Sequence, residues 1–97
     1  MKVIKSGYNP QTGGYFAFFE HDGYEFYADL CFTWDAGNEC MIFPSKDKQV
    51  TNWNELYCNR GLDITEENLI LCINEFIDQY DGIQEEMKGS NKPKKGL

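Results

Sequence analysis

Residues 15–30 carry the pattern that most constrains the fold. Two segments rich in aromatic and apolar residues, 15–20 and 24–30, flank Asp22 and Gly23. Asp-Gly is typical of the two-residue type I′ loop of a β-hairpin, because both of its central positions need positive φ. The pattern therefore predicts two antiparallel strands, and the two-residue loop fixes which of their residues face each other.

This register gives the predicted hairpin two chemically different faces. The pairs on one face are all aromatic or apolar, namely Tyr15–Leu30, Ala17–Ala28 and Phe19–Phe26. The pairs on the other face mix rings with carboxylates, namely Phe16–Asp29, Phe18–Tyr27 and Glu20–Glu25. Successive strand residues point to opposite sides of a sheet. We therefore expect the first face to form the core. The second face is either a binding surface in water, or it is covered by the N-terminal segment or by another copy of the chain.

The rest of the first sixty residues predicts further short strands joined by turns. Proline cannot donate a ladder hydrogen bond, so a strand that reaches Pro44 is expected to stop there. The predicted elements are a strand that starts at Val3 and Ile4 and ends at residues 6–7, a loop over residues 8–14, a second hairpin over residues 32–43, a charged turn over residues 45–49, and short strands at residues 50–53 and 56–58.

Residues 63–80 predict a single helix. Apolar residues recur through this range at three- and four-residue steps, the spacing of one helix face. Either Asp63 with Glu66, or Thr65 followed by two glutamates, suits a helix N-terminus, and Gly82 predicts the helix end. The expected fold is α+β: an antiparallel meander of four to five strands with one C-terminal helix packed on one face. It occupies residues 1–87 as one domain, and the basic tail over residues 88–97 is expected to be disordered.

The charge of the predicted domain is strongly negative. The whole chain carries a formal net charge of −7, but four of its nine basic residues lie in the tail. Residues 1–87 therefore hold five basic residues against sixteen acidic ones, a net charge of −11. Nucleic-acid binding depends on Lys and Arg neutralising phosphates, so we expect no direct nucleic-acid partner. Such a domain suits a protein partner with a basic surface, although the same charge also serves solubility.

Four cysteines and one histidine are the candidate nucleophiles and metal ligands. The cysteines form no Cys-x-x-Cys pair, and their spacing matches no zinc motif. His21 lies in the predicted hairpin loop rather than in a cleft with an orienting partner. No segment approaches the length of a membrane-spanning helix, and the N-terminus resembles no secretory signal. We expect a cytoplasmic protein with reduced thiols that uses no metal or cofactor, has no membrane partner and is not an enzyme.

One stretch resembles a known group of proteins. Residues 39–43, the segment 50–57, Arg60 and the triplet 65–67 are similar to a motif in small uncharacterised proteins carried by phages and prophages of Gram-positive bacteria. The resemblance spans residues 39–77, and it departs from the group's pattern at Cys40, Asn52 and Gly61. The resemblance implies that the gene belongs to a phage or prophage. The protein would then lie in the cytoplasm of the host cell. No activity is established for the group, so no functional residue is transferred from it.

Two functional hypotheses follow. The first is a non-catalytic acidic protein-binding module, such as a phage-encoded inhibitor of a host defence or nucleic-acid enzyme. Its predicted contacts are Phe16, Phe18, Glu20, Glu25, Tyr27 and Asp29; a homodimer through this face is an open alternative. The second is a protein that binds or sequesters a small ligand such as a nucleotide signal, using Trp34, Lys46, Trp53 and Arg60. That site requires the turn at 45–49 and the break at 59–61 to meet at one end of the sheet. The tryptophans are otherwise expected in the core.

Overall fold

The computed structural model describes the backbone of residues 1–91 and the side chains of residues 1–85. The elements in chain order are β1 (Lys2–Asn9), β2 (Gly14–His21), β3 (Tyr24–Thr33), β4 (Gly37–Lys46), β5 (Gln49–Val50), β6 (Tyr57–Arg60) and α1 (Glu66–Asn91). Strands β1 to β4 form an antiparallel meander. Both β5 and β6 pair with β4. They share the edge of β4 that faces away from β3, so the sheet is five strands wide. The predicted α+β fold is confirmed.

The central hairpin has the predicted register. Phe19 faces Phe26, Ala17 faces Ala28 and Tyr15 faces Leu30. The loop residues Asp22 and Gly23 have φ values of 54° and 81°, as a type I′ turn requires.

Helix α1 covers the apolar face of this hairpin. Leu69, Cys72, Ile73 and Phe76 are buried against the sheet. The Phe76 ring lies 5.0 Å from that of Phe26 and 6.2 Å from that of Phe19, both edge-on. Edge-on rings add to the burial of apolar area, so this cluster joins the two layers. No helix in residues 1–91 is both long and apolar enough to cross a membrane.

Strand β1 is longer than predicted and leaves a shorter loop. It extends to Asn9 because β2 offers hydrogen-bonding partners as far as Gly14, which outweighs the local turn preference. The turn then closes tightly, with Gly13 N–H donating to the Asn9 carbonyl at 2.8 Å. The strand extends the sheet beside β2 rather than covering it.

Strand β4 continues through Pro44, where the sequence predicted its end. The Pro44 carbonyl accepts a hydrogen bond from Thr51 N–H at 3.0 Å, on the side away from β3. The N and O atoms of one strand residue point to the same edge, so the missing N–H of Pro44 removes no bond to β3.

Helix α1 also differs from its predicted bounds. It starts at Glu66 because Thr65 is the N-cap, its hydroxyl accepting from Asn68 N–H at 3.1 Å. It passes Gly82 and continues to Asn91, so the first four residues of the predicted tail, 88–91, belong to it. Glycine inside a helix costs only about 1 kcal/mol relative to alanine, and contacts to the β2–β3 turn hold the helix just before this point. Residues 92–97 of the predicted tail lie outside the described residues.

An aromatic and acidic face as the candidate binding site

The side of the sheet opposite α1 carries a continuous row of aromatic rings. We call this side the open face. Its aromatic row consists of Phe16 and Phe18 on β2, Tyr27 on β3, Phe43 on β4 and Trp53 in the loop between β5 and β6. The centroid distances between neighbouring rings are 6.1 Å for Phe16–Phe18, 4.8 Å for Phe18–Tyr27, 6.4 Å for Tyr27–Phe43 and 5.1 Å for Phe43–Trp53. Each ring therefore restricts the orientation of the next.

The exposure of the aromatic row varies along its length. Phe43 is buried beneath Trp53, which is itself 69% exposed, and the three rings on β2 and β3 are half-buried. A shallow depression of about 510 Å³ lies over them. It is lined by Phe16, Phe18, Tyr27 and Trp53, with Lys5, Asn9, Gln49 and Val50 around the rings. No β-strand or helix lies over this depression within residues 1–91, so its rings are open to a partner.

Asp29 lies among these apolar groups with one oxygen unsatisfied. On the neighbouring strands it faces Phe16 and Met41. Its Oδ2 accepts a long hydrogen bond of 3.4 Å from the Tyr27 hydroxyl. Its Oδ1 is buried and has no hydrogen-bond partner among the described residues. Burial raises the pKa of the carboxyl group above its usual value, and the hydrogen bonds from Tyr27 and Cys31 oppose that shift.

Asp29 in turn affects the acidity of its neighbours. Burial, followed by the charge of Asp29, raises the pKa of the Tyr27 hydroxyl. Burial and the same charge also raise the pKa of the Cys31 thiol. Both groups therefore stay protonated at neutral pH.

The two predicted glutamates differ in their roles. Glu20 is exposed at the hairpin end and faces Glu25 across the strands. The Glu25 carboxylate accepts bonds from the Ser45 hydroxyl and, at 2.8 Å, from Lys48 N–H. It therefore holds the β4–β5 turn, in which Asp47 and Lys48 adopt φ values of 52° and 60°. Within the described residues Glu20 makes no hydrogen bond or ion pair, although Lys2 faces it from β1, whereas Glu25 is partly committed to the fold.

The second predicted set of residues does not come together. Lys46 pairs with Gln49 at one end of β4, whereas Arg60 pairs with Glu39 towards the other end. Seven residues of strand separate these pairs, or roughly 23 Å at the usual rise per residue. The Arg60 side chain is already bound, its Nε donating to Glu39 Oε2 at 2.9 Å. The turn at 45–49 and the break at 59–61 thus lie apart, and they form no shared anion site.

Neither tryptophan lies in the core, contrary to expectation. Trp34 is 94% exposed in the β3–β4 turn, beyond the last paired residues, with its ring edge-on to Phe32 at 5.7 Å. Trp53 instead completes the aromatic row, which sequence reasoning had not assigned to it. Phe43 was also missed as a member of this face. Phe43 and Met41 alternate along β4 and therefore share one face of the sheet. The sequence alone does not say which face, because that depends on how β4 pairs with β3.

His21 is bound to helix α1, and the cysteines are unpaired thiols. His21 Nε2 lies 2.7 Å from Asp81 Oδ1 on α1. The four cysteines, at positions 31, 40, 58 and 72, are free thiols, and only Cys58 is exposed. Within the described part of the chain, no three His, Cys, Asp or Glu side chains are grouped to hold a metal ion.

Comparison of the chain with protein-family models, with curated proteins and with solved structures gives no match in any of the three. The chemistry of the open face must therefore be inferred from its own residues.

Proposed function

We propose that this chain is a non-catalytic, acidic protein-binding module whose open face receives a basic surface of another protein. The observation that carries the proposal is the aromatic row, held in place by ring contacts and left partly exposed around Asp29. Partly exposed aromatic groups surrounded by charge are typical energetic centres of protein interfaces. A soluble protein rarely keeps a large apolar patch that serves no contact.

The charge of the chain supports a basic partner. Residues 1–87 carry a net charge of −11, and Glu20 is exposed at the end of the open face. Complementary charge speeds encounter and selects partners more than it adds affinity. In this proposal the rings provide most of the binding energy, and the acids orient the approaching surface.

The resemblance of residues 39–77 to phage-borne proteins suggests what the partner is. We propose a host defence protein or a host nucleic-acid enzyme, whose basic surface would be occupied by this chain in the host cytoplasm. The support for this partner is the acidic composition of the chain and its resemblance to phage-borne proteins, not the chemistry of the open face.

Affinity capture with a matched pair of variants tests the proposal. The immobilised protein is incubated with lysate of a Gram-positive host at low and high salt, and the captured proteins are identified by mass spectrometry. The best candidate is then purified and its affinity measured by calorimetry. Phe18→Ala removes a ring of the aromatic row, and Leu71→Ala removes an equally apolar, half-exposed side chain of α1.

We expect the captured protein to be basic and its binding to weaken with salt. Its affinity should be unchanged by Leu71→Ala and should fall at least about tenfold with Phe18→Ala, as for a central interface residue. Failure to capture any protein, or affinities indifferent to both salt and Phe18→Ala, would contradict the proposal.

A small planar ligand is the second candidate, favoured by the lining of the depression. Trp53 and Tyr27 offer faces for stacking, and Lys5, Asn9 and Gln49 offer polar groups beside them. The nearby Asp29 carboxylate disfavours a phosphate, which places this candidate second. A rise in melting temperature with a nucleotide, abolished by Trp53→Ala, would favour it over protein binding.

A further inference from the structure

The open face contains one acceptor that the described fold leaves unsatisfied. Asp29 Oδ1 is buried and unpaired among residues 1–85, and Oδ2 accepts a long 3.4 Å bond from the Tyr27 hydroxyl. The Cys31 thiol beside the carboxylate is a further weak donor. A buried polar group without a partner is unfavourable, and a charged one more so. A donor brought by another molecule would remove this penalty, which makes Asp29 the point of the open face where a polar contact gains most.

The charged and titratable groups around Asp29 include no cation bonded to it. Tyr27 and Cys31 flank it on β3, and Glu39 lies on β4 opposite Cys31. The charge of Glu39 is taken up by Arg60. Lys5, on β1, lies two strands away, where it is exposed at the rim of the depression. A positive group from outside would thus meet a carboxylate that no cation of the described residues already neutralises.

The surroundings of this carboxylate favour a planar cation. Phe16 faces Asp29 from β2 and Tyr27 precedes it on the same side of β3, with their ring centroids 6.3 Å apart. A guanidinium group stacks on aromatic faces and bonds both oxygens of a carboxylate, whereas an ammonium group acts as a point charge. The last torsion of an aspartate side chain is soft, so the carboxylate can turn to present both oxygens.

Charge also decides between a foreign partner and a second copy of this chain. Two copies meeting through their open faces would bring together Glu20 and Asp29 of each, on domains that each carry −11 over residues 1–87. Such a contact is repulsive, so a homodimer through this face is disfavoured and a basic partner is favoured.

From this geometry we propose that the open face receives one arginine side chain of the partner, whose guanidinium bonds Asp29 and stacks on the rings of Phe16 and Tyr27. The inference rests on the proposed function and names the group that the site recognises. Asp29 and the two rings thereby determine specificity, and Trp53 lies close enough along the aromatic row to report on binding.

A peptide titration tests this inference without knowledge of the partner. The background variant is Trp34→Phe, because Trp34 is 94% exposed and its removal leaves Trp53 as the only tryptophan. The probe is acetyl-Gly-Gly-Arg-Gly-Gly-amide, followed by Trp53 fluorescence and by amide shifts in ¹H–¹⁵N spectra. The same peptide with citrulline, an uncharged isostere of arginine, or with lysine provides the controls. Asp29→Asn removes the proposed contact, and Asp35→Asn removes an exposed acid of the β3–β4 turn.

The expected result is saturable binding in the millimolar range, with shifts confined to β2, β3, β4 and the Trp53 loop. The citrulline peptide should bind at least about tenfold more weakly, and the lysine peptide should lie between the two. Asp29→Asn should lower arginine affinity to the citrulline level, while Asp35→Asn leaves it unchanged. The spectrum of each variant shows directly whether it is folded.

Three results would overturn the inference: no binding of the arginine peptide up to about 20 mM, equal binding of arginine and citrulline peptides, or equal binding of arginine and lysine peptides. Affinity measurements with the captured partner then test the arginine contact and the protein-binding function separately. If its affinity falls with Phe18→Ala but not with Asp29→Asn, the arginine contact is refuted and the protein-binding function stands. If its affinity is indifferent both to salt and to Phe18→Ala, the function itself is refuted.

Discussion

His21 Nε2 lies 2.7 Å from Asp81 Oδ1, joining the β2–β3 turn to a helix sixty residues later in the chain. A second bond, from the Tyr80 hydroxyl to Asp22 Oδ2 at 3.3 Å, runs beside it. The tip of the central hairpin is thus attached to the part of α1 immediately before Gly82, the residue at which the sequence predicts the helix to end.

Removing this attachment should loosen the distal part of the helix. We expect His21→Ala to lower the free energy of unfolding by no more than about 1 kcal/mol, because Asp81 is largely exposed. Hydrogen exchange of amides 81–85 should accelerate more than that of amides 69–76. Asp78→Asn, on an exposed position of the same helix, is the control and should change neither. Uniform acceleration along α1 would contradict a local role for the His21–Asp81 contact.

Adjacent phenylalanines on β2 should differ in how much they contribute to stability. Phe19 is fully buried beneath α1, whereas Phe18 is half-buried on the open face. We expect Phe19→Ala to cost about 3–5 kcal/mol of folding free energy, and Phe18→Ala about 1–2 kcal/mol, because it buries less area. Urea unfolding followed by circular dichroism measures both. Equal costs would mean that the two faces do not differ as described.

The hairpin register was predictable because a two-residue Asp-Gly loop leaves no freedom in strand pairing, and the helix because its apolar spacing is regular. The lengths of β1 and β4 were not, since pairing with neighbouring strands overrides local turn signals at Asn9 and Pro44. The open face was predicted only for its β2 and β3 residues. The position of Trp53 depends on the path of the β5–β6 loop, for which no sequence pattern gives a direction.

The charge of Asp29 should make stability depend on pH in a defined direction. Its pKa is raised in the folded protein above the usual value of 3.8, chiefly by burial. The folded state therefore holds this proton more tightly than the unfolded state, and stability from this group falls as pH rises from about 3.8 towards the folded pKa. Asp29→Asn should be more stable than the wild type at pH 7, and the advantage should shrink as pH is lowered towards 4. Urea unfolding at several pH values measures it; a constant or growing advantage at low pH would contradict the buried-charge description.

The reactivity of the four thiols should follow their exposure to solvent. Cys58 is exposed, Cys31 is buried with a small exposed fraction of 9%, and Cys40 and Cys72 are fully buried between β4 and α1. We expect Ellman's reagent to modify Cys58 first, and Cys40 and Cys72 only on unfolding. Burial and Glu39 raise the pKa of the Cys58 thiol, while Arg60 lowers it. Arg60→Gln should therefore slow Cys58 modification near pH 8, since the thiolate is the reactive form. Unchanged or faster modification would contradict this placement of Arg60, and Lys46→Gln, at the far end of β4, is the matched control.

Two glycine substitutions should shift stability in opposite directions. A Cβ at Gly14 would overlap the Leu30 carbonyl oxygen and lie 2.7 Å from Cys31 Cβ, whereas one at Gly82 would meet nothing within 4 Å. Gly14→Ala forces backbone apart between β2 and β3, so we expect a loss of about 2 kcal/mol or more. Gly82→Ala replaces a residue of low helix propensity inside α1 without a clash, so we expect a gain of about 0.5–1 kcal/mol. Thermal unfolding of the two variants beside the wild type measures both signs in one experiment. A loss of stability in Gly82→Ala would show that the helix does not pass through this residue, because only a non-helical, glycine-favouring backbone there would penalise alanine.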